Sequence, residues 1–209
     1  MMRFEKFIFH LKDRINTKLP GRNSHKKMKI NYREKIKFTF TKNTAKPAAV
    51  LLLLYPNNDK IYFYLTKRTE GLKYHKGQIS FPGGTKENNE TLLETALRET
   101  EEEIGINKHK ISILGKITSL FIPITGFMIT PFIGFISEKH PTRLDPNEVA
   151  DLFSVNVLDL INNNKLIENR KFQGTDVNVP YFSLNNHIVW GATAMVLSEF
   201  KDIISLIEK

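Results

Sequence analysis

Three glutamates in the stretch "RETEEEI", Glu99, Glu102 and Glu103, fall close together if Arg98 to Ile104 is helical. At about 100° per residue they lie within roughly 100° of one another, while Glu101 points elsewhere, into solvent. Carboxylates held that close repel one another, and their pKa values rise unless a cation sits between them. An all-oxygen ligand set suits a hard divalent ion, Mg2+ or Mn2+. The same residue types also describe a solvated acidic helix, so the spacing admits both readings. What sharpens the question is context. Residues 81–106 hold seven glutamates in a chain whose formal net charge is +9.

The element that would position them is well signalled. Thr91 stands at a cap position with Glu94 at the capping-box spacing, and Gly105 stands where a left-handed C-terminal cap is expected. Between them the spacing predicts a helix over 91–104. Leu93, Leu97, Thr100 and Ile104 fall within an arc of about 60° and form its core side. Glu94 and Arg98 are spaced i, i+4 in the favourable order, and Arg98 to Glu102 repeats the spacing in the weaker one.

Around that helix, "AAVLLLLY" and "KIYFYLTKR" read as strands separated by the turn "PNND". "KISILGKI", "FMITPFIGFIS" and "HIVW" are also strand-like, "DPNEVADLFSVNVLDL" combines a turn, a strand and a short helix, and "GATAMVLSEFKDIISLI" is an amphipathic helix. Strands and helices alternate irregularly, so the predicted fold is α/β of the α+β kind, a mixed sheet covered by helices rather than a regular barrel.

The charge is unevenly placed. Residues 1–46 hold fourteen Lys and Arg against three acids; residues 47–209 hold seventeen against nineteen. The chain therefore divides into a basic N-terminal extension, 1–46, and a main domain, 47–209. In the extension, Phe4, Phe7, Ile8, Leu11 and Ile15 recur at helical spacing, and "LPGRNSHKKMK" reads as a linker. Aromatic residues do not interleave with these bases in a stacking pattern, so a solvated basic surface is the favoured reading and nucleic acid is not expected as a partner. There is no cysteine, which excludes disulfides, thiolate metal sites and cysteine nucleophiles. No stretch approaches the ~20 apolar residues of a membrane span, and the charged N-terminus lacks a signal-peptide core, so a cytoplasmic location is expected.

From Gly84, five residues lead to Glu90, and seven more lead to Arg98-Glu99-Thr100-Glu101-Glu102-Glu103-Ile104-Gly105-Ile106. This resembles the signature of the Nudix hydrolases, G-x5-E-x7-R-E-U-x-E-E-x-G-U, with U a bulky apolar residue. Every fixed position matches, and the departure is Thr100 at an apolar position. The resemblance implies a mixed sheet sandwiched between helices. It also implies divalent-metal-dependent hydrolysis of a diphosphate linked to another moiety. It assigns Glu102 and Glu103 to metal, with the Gly83 carbonyl as a further ligand, and makes Glu99 either a ligand or the base that activates water. Arg98 would pair with Glu90 and orient the loop, and Gly105 would close the helix.

Upstream, "LTKRTEGLKYHKGQISFPGG" resembles the extra motif of the coenzyme A diphosphatase branch, L-L-T-x-R-[SA]-x3-R-x3-G-x3-F-P-G-G. Leu65, Thr66, Arg68, Gly77, Phe81, Pro82, Gly83 and Gly84 match; Tyr64, Thr69 and Lys73 depart. That branch implies a substrate-binding set of Arg68, Lys73, Gly77, Phe81 and Gly84. Lys67, Arg68, Lys73 and Lys76 cluster before the metal loop, where extra cations suit the 3′-phosphate that coenzyme A carries beyond its diphosphate. The expected partner is a small nucleotide of this type, and a homodimer is admitted. A Nudix hydrolase acting on ADP-ribose, NADH or a damaged nucleotide is the alternative, and a nucleotide-binding regulator a more distant one. Glu148 in "DPNEVADLF" is weighed as a ligand or base from a distant loop and read as a solvated or capping residue. Trp190 reads as core rather than as a stacking platform for adenine, Phe127 as a pocket-lining or a packing residue, and His75 as a loop histidine.

Overall fold

The computed structural model describes residues 4–31, 40–71, 76–172 and 174–207. A mixed sheet forms its centre. Strand β1 (Lys46–Asn57) turns at Asn58 and Asp59, both with positive φ, into the antiparallel β2 (Lys60–Arg68). Asn and Asp tolerate that left-handed geometry, which is why "PNND" makes a tight hairpin. The short β3 (Ile79–Ser80) and β4 (Gly83–Thr85) pair with β2 and β1 respectively. After helix α3 (Leu92–Ile104) come β5 (Ser112–Lys116), β6 (Leu120–Ile122) and β7 (Phe127–Phe135). Strand β7 runs parallel to β1, whereas β5 and β6 lie antiparallel to β7. Strand β8 (Val149–Asn156) closes on the far side of β2 and leads into α4 (Val157–Asn162). A separate antiparallel sheet holds β9 (Leu166–Phe172), β10 (Thr175–Leu184) and β11 (His187–Trp190), followed by α5 (Gly191–Ile204).

The unbroken apolar run in β1 is explained by burial on both faces. Leu52 and Leu54 face one core with α5, and Ala49, Leu51, Leu53 and Tyr55 face the other with α3. Strand β2 divides in the same way, with Phe63 and Leu65 to one side and Tyr64 to the other. The layers are helix, sheet, helix, as the sequence predicts. Among the described residues, no helix is long and apolar enough to cross a membrane.

The N-terminal segment is packed into this architecture. Helix α1 (Phe4–Ile15) buries Phe7, Ile8, Leu11 and Ile15 in the α5 core. The stretch read as a linker contains a second helix, α2 (Arg22–Lys27), seated on α5. Its local sequence is a poor helix former, and tertiary contacts decide its conformation. Leu11 is fully buried, so Leu11→Ala is expected to cost about 2–5 kcal/mol of stability. A chemical-denaturation midpoint checks this, and a loss under ~1 kcal/mol would mean that α1 contributes little to the fold.

Candidate active site

Helix α3 is built as its termini dictate. Thr91 accepts from the Glu94 N–H at 3.2 Å and Glu94 accepts from the Thr91 N–H at 2.6 Å, which completes the capping box. Gly105 ends the helix at φ 72°. Inside, Thr95, Ala96, Thr100, Glu103 and Ile104 are buried, with Leu93 and Leu97 half-buried against the same core. Glu103 therefore lies within the buried face, two turns from Ala96, rather than on a separate polar one. The Thr100 hydroxyl donates to the Ala96 carbonyl at 2.7 Å, so this polar residue at an apolar motif position is satisfied within the helix.

The carboxylates of Glu99, Glu103 and Glu148 each offer an oxygen, all within 4.8 Å of one another. Glu148 arrives from the turn before β8, where Asp145 accepts from the Asn147 and Glu148 N–H groups and the Glu148 carbonyl accepts from the Thr69 N–H. Local sequence carried only a turn signal there; the pairing of β8 with β2 brings the residue in. Glu102 stands at the outer edge with a side chain 58% exposed, bound to Arg98 Nη1 at 2.8 Å.

Burial pushes the Glu103 carboxyl up to about 8; Arg68 and the Gly83 N–H draw it down, and Glu99 and Glu148 raise it further. Burial raises Glu99 as well, opposed by Arg98. Arg68 Nη1 lies 3.5 Å from Glu103 Oε1, while Glu103 Oε2 is buried without a hydrogen-bond partner among the described residues. An orphaned buried carboxylate oxygen is costly unless something completes its coordination. Three converging carboxylates with one open oxygen fit a hard divalent cation.

Arg98 organises the approach to α3. Its guanidinium donates Nε and Nη2 to the two oxygens of Glu90, each at 3.0 Å, and Nη1 to Glu99 at 3.1 Å. That fork pairing, with further bonds from the Glu87 N–H and the Thr95 hydroxyl, holds Glu90 down at about 2. The loop from β4 to α3 is thereby tied to the helix that carries the acids.

A cleft of about 1090 Å³ opens beside this cluster, bounded there by Arg68, Gly83 and Gly84. A Cβ on Gly84 would stand 2.4 Å from a Glu99 carboxylate oxygen, so only glycine allows that approach. Phe81 is 2% exposed and packs 6.4 Å from the Phe63 ring, yet it contributes to the lining of the cleft. Gly77, at φ 62°, abuts Glu70 rather than the cleft. Trp190 and Phe127 line the cleft, and Arg170 sits 5.0 Å over the Trp190 ring. Lys73 and His75 lie outside the described residues.

A family model described as the NUDIX domain matches residues 45–173. Nudix hydrolase 3 of Caenorhabditis elegans is 30% identical over 174 residues, taking in 75% of this chain and 72% of that protein. The Nudix hydrolase NudL of Photorhabdus laumondii is 33% identical over 156 residues, covering 73% of this chain and 81% of its own. In fold, the chain is similar to the Nudix hydrolase RenU from M. smegmatis, with a TM-score of 0.57 at 18% identity over 82% of this chain and 96% of that one. With more than half its length matching the domain and with Glu99 and Glu103 of the acidic cluster on the helix that the domain's signature specifies, the chain belongs to the Nudix hydrolase family.

Proposed function

We propose that the protein hydrolyses the diphosphate of coenzyme A or a derivative, releasing 3′,5′-ADP and 4′-phosphopantetheine or its acyl form. The observation that carries this reading is the position of Arg68. This residue of the upstream motif lies against Glu103 and also lines the cleft, which supports reading the motif and the acidic cluster as parts of one site.

Glu99, Glu103 and Glu148 would hold a divalent ion, and Glu102 and the Gly83 carbonyl join the proposed ligand set on the family signature alone. Such an ion, Mg2+ or Mn2+, supplies charge neutralisation and Lewis acidity at a diphosphate. Arg68 provides a second positive charge for the phosphates at the cleft wall. Gly83 and Gly84 let the chain run close to the reacting group without a side chain in the way. Water attacks one phosphorus, the bond to the bridging oxygen breaks, and the proton lost by the water passes to one of the clustered carboxylates. Glu90 and Arg98 act as positioning residues that fix the loop.

Incubating the purified protein with coenzyme A and Mg2+ or Mn2+, followed by chromatography, tests the reading. Stoichiometric 3′,5′-ADP and 4′-phosphopantetheine are expected. Untouched coenzyme A alongside consumed ADP-ribose or dinucleotide would overturn the substrate assignment.

A further inference from the structure

The cleft has a second end that the acidic cluster does not explain. Its described lining includes Arg22, Lys26, Lys29 and Lys42 from the N-terminal segment, and no Asp or Glu. None of these four side chains has an ion-pair partner among the described residues, although Lys27, on the same helix, is paired with Asp202 at 2.6 Å. Arg22 and Lys26 are spaced i, i+4, an arrangement that costs stability for like charges and persists here without a neutralising acid. An uncompensated set of cations in a concave surface focuses positive potential and draws anions.

The wall that carries them is fixed. Glu199, fully buried on α5, accepts from the Gly21 N–H at 3.2 Å and the Thr118 hydroxyl at 2.7 Å, and meets His25 Nε2 at 2.7 Å. Ser198 donates to the Ser24 carbonyl at 2.9 Å, and the Ser24 hydroxyl bonds Asp202. Helix α2 is thus held by its buried side, Arg22 and Lys26 are left exposed on it, and Lys29 is exposed just beyond its end.

Among the described residues, the cations upstream of the metal loop do not serve this end. Lys67 and Lys76 do not line the cleft, and Arg68 is turned to Glu103. We propose that Arg22, Lys26 and Lys29 bind a second anionic group of the substrate, a phosphomonoester remote from the diphosphate. The proposal rests on the coenzyme A reading above, since the ribose 3′-phosphate is such a group.

The test compares the wild type with Arg22→Ala/Lys26→Ala/Lys29→Ala, all exposed positions, after matching melting curves confirm folding. The ratio of kcat/KM for coenzyme A over 3′-dephospho-coenzyme A is expected to fall at least ~10-fold, mainly through KM, as loss of charge-assisted bonds to one phosphate predicts. An unchanged ratio overturns the proposal. A turnover-free arm separates it from the reaction itself: calorimetric titration with 3′,5′-ADP and 5′-AMP. Preference for 3′,5′-ADP in the wild type and its loss in the variant upholds the anion site, even if coenzyme A proves not to be cleaved. No preference in the wild type removes the site, even if coenzyme A is cleaved.

Discussion

Glu103→Gln is expected to lower turnover at least ~100-fold while leaving the fold intact or slightly more stable. The substitution keeps shape and removes charge. Glu103 is 2% exposed, so its carboxylate carries a desolvation cost, increased by the neighbouring carboxylates of Glu99 and Glu148. A neutral amide relieves that cost, and the Arg68 pair at 3.5 Å is too long to offset it fully. Stability and activity should therefore move in opposite directions, the pattern expected where a fold keeps unfavourable charge for a purpose. Turnover at saturating Mg2+, the thermal midpoint and Mn2+ binding by electron paramagnetic resonance measure the three consequences. Near-normal turnover would mean that the chemistry is held by other residues. A collapse of the thermal midpoint would mean that Glu103 is a structural ion pair.

Much of this arrangement was legible in the sequence because it is local. The capping box at Thr91 and Glu94, the left-handed Gly105 and the Glu90–Arg98 pair all lie within one loop and one helix. The β1–β2 hairpin was legible because Asn58 and Asp59 have a mechanism for turning the chain. What depended on packing was not. Taken two turns on from Ala96, Glu103 points toward the core, but only the apolar surroundings reveal that its charge is buried. Glu148 joins the acids through strand pairing, which a turn signal cannot announce. The β9–β10 hairpin went unread, although Val177 and Val179 alternate inward in β10 beyond a Gly174 at positive φ. Asp176 and Asn178, poor strand formers, stand at the alternate positions and weaken the strand signal. The basic segment was read from composition as a solvated surface, and Arg22, Lys26 and Lys29 are exposed; that they line the cleft follows from the packing of α2 on α5, which composition does not carry.

Gly83→Ala is expected to damage both stability and activity, and the neighbouring Gly84→Ala only activity. Gly83 has φ 149°, a conformation that L side chains rarely adopt, and a Cβ there would stand 2.3 Å from the Ala49 carbonyl oxygen and 2.6 Å from the Val50 Cα. Those atoms belong to β1, the central strand, with which Gly83 is in register at Val50. Backbone cannot swing aside as a side chain can, so the loop must leave its strand partner. Strain of ~1–3 kcal/mol and overpacking of similar size place the cost at about 2–6 kcal/mol, or roughly 4–24 °C in Tm for a domain of this size. Displacing the loop also moves the Gly83 N–H away from Glu103, and a shift of about 1 Å at a reacting centre costs on the order of 100-fold in rate. The added methyl of Gly84→Ala instead meets the Glu99 carboxylate, the movable end of a side chain, at 2.4 Å. It pushes a candidate ligand out of the cluster and leaves β1 undisturbed. Paired measurements of Tm and kcat on the two variants decide the matter. If Gly84→Ala retained full turnover, the close approach of loop and carboxylate would have no part in the chemistry. If Gly83→Ala melted with the wild type, the β1–β4 contact would not be fixing the loop.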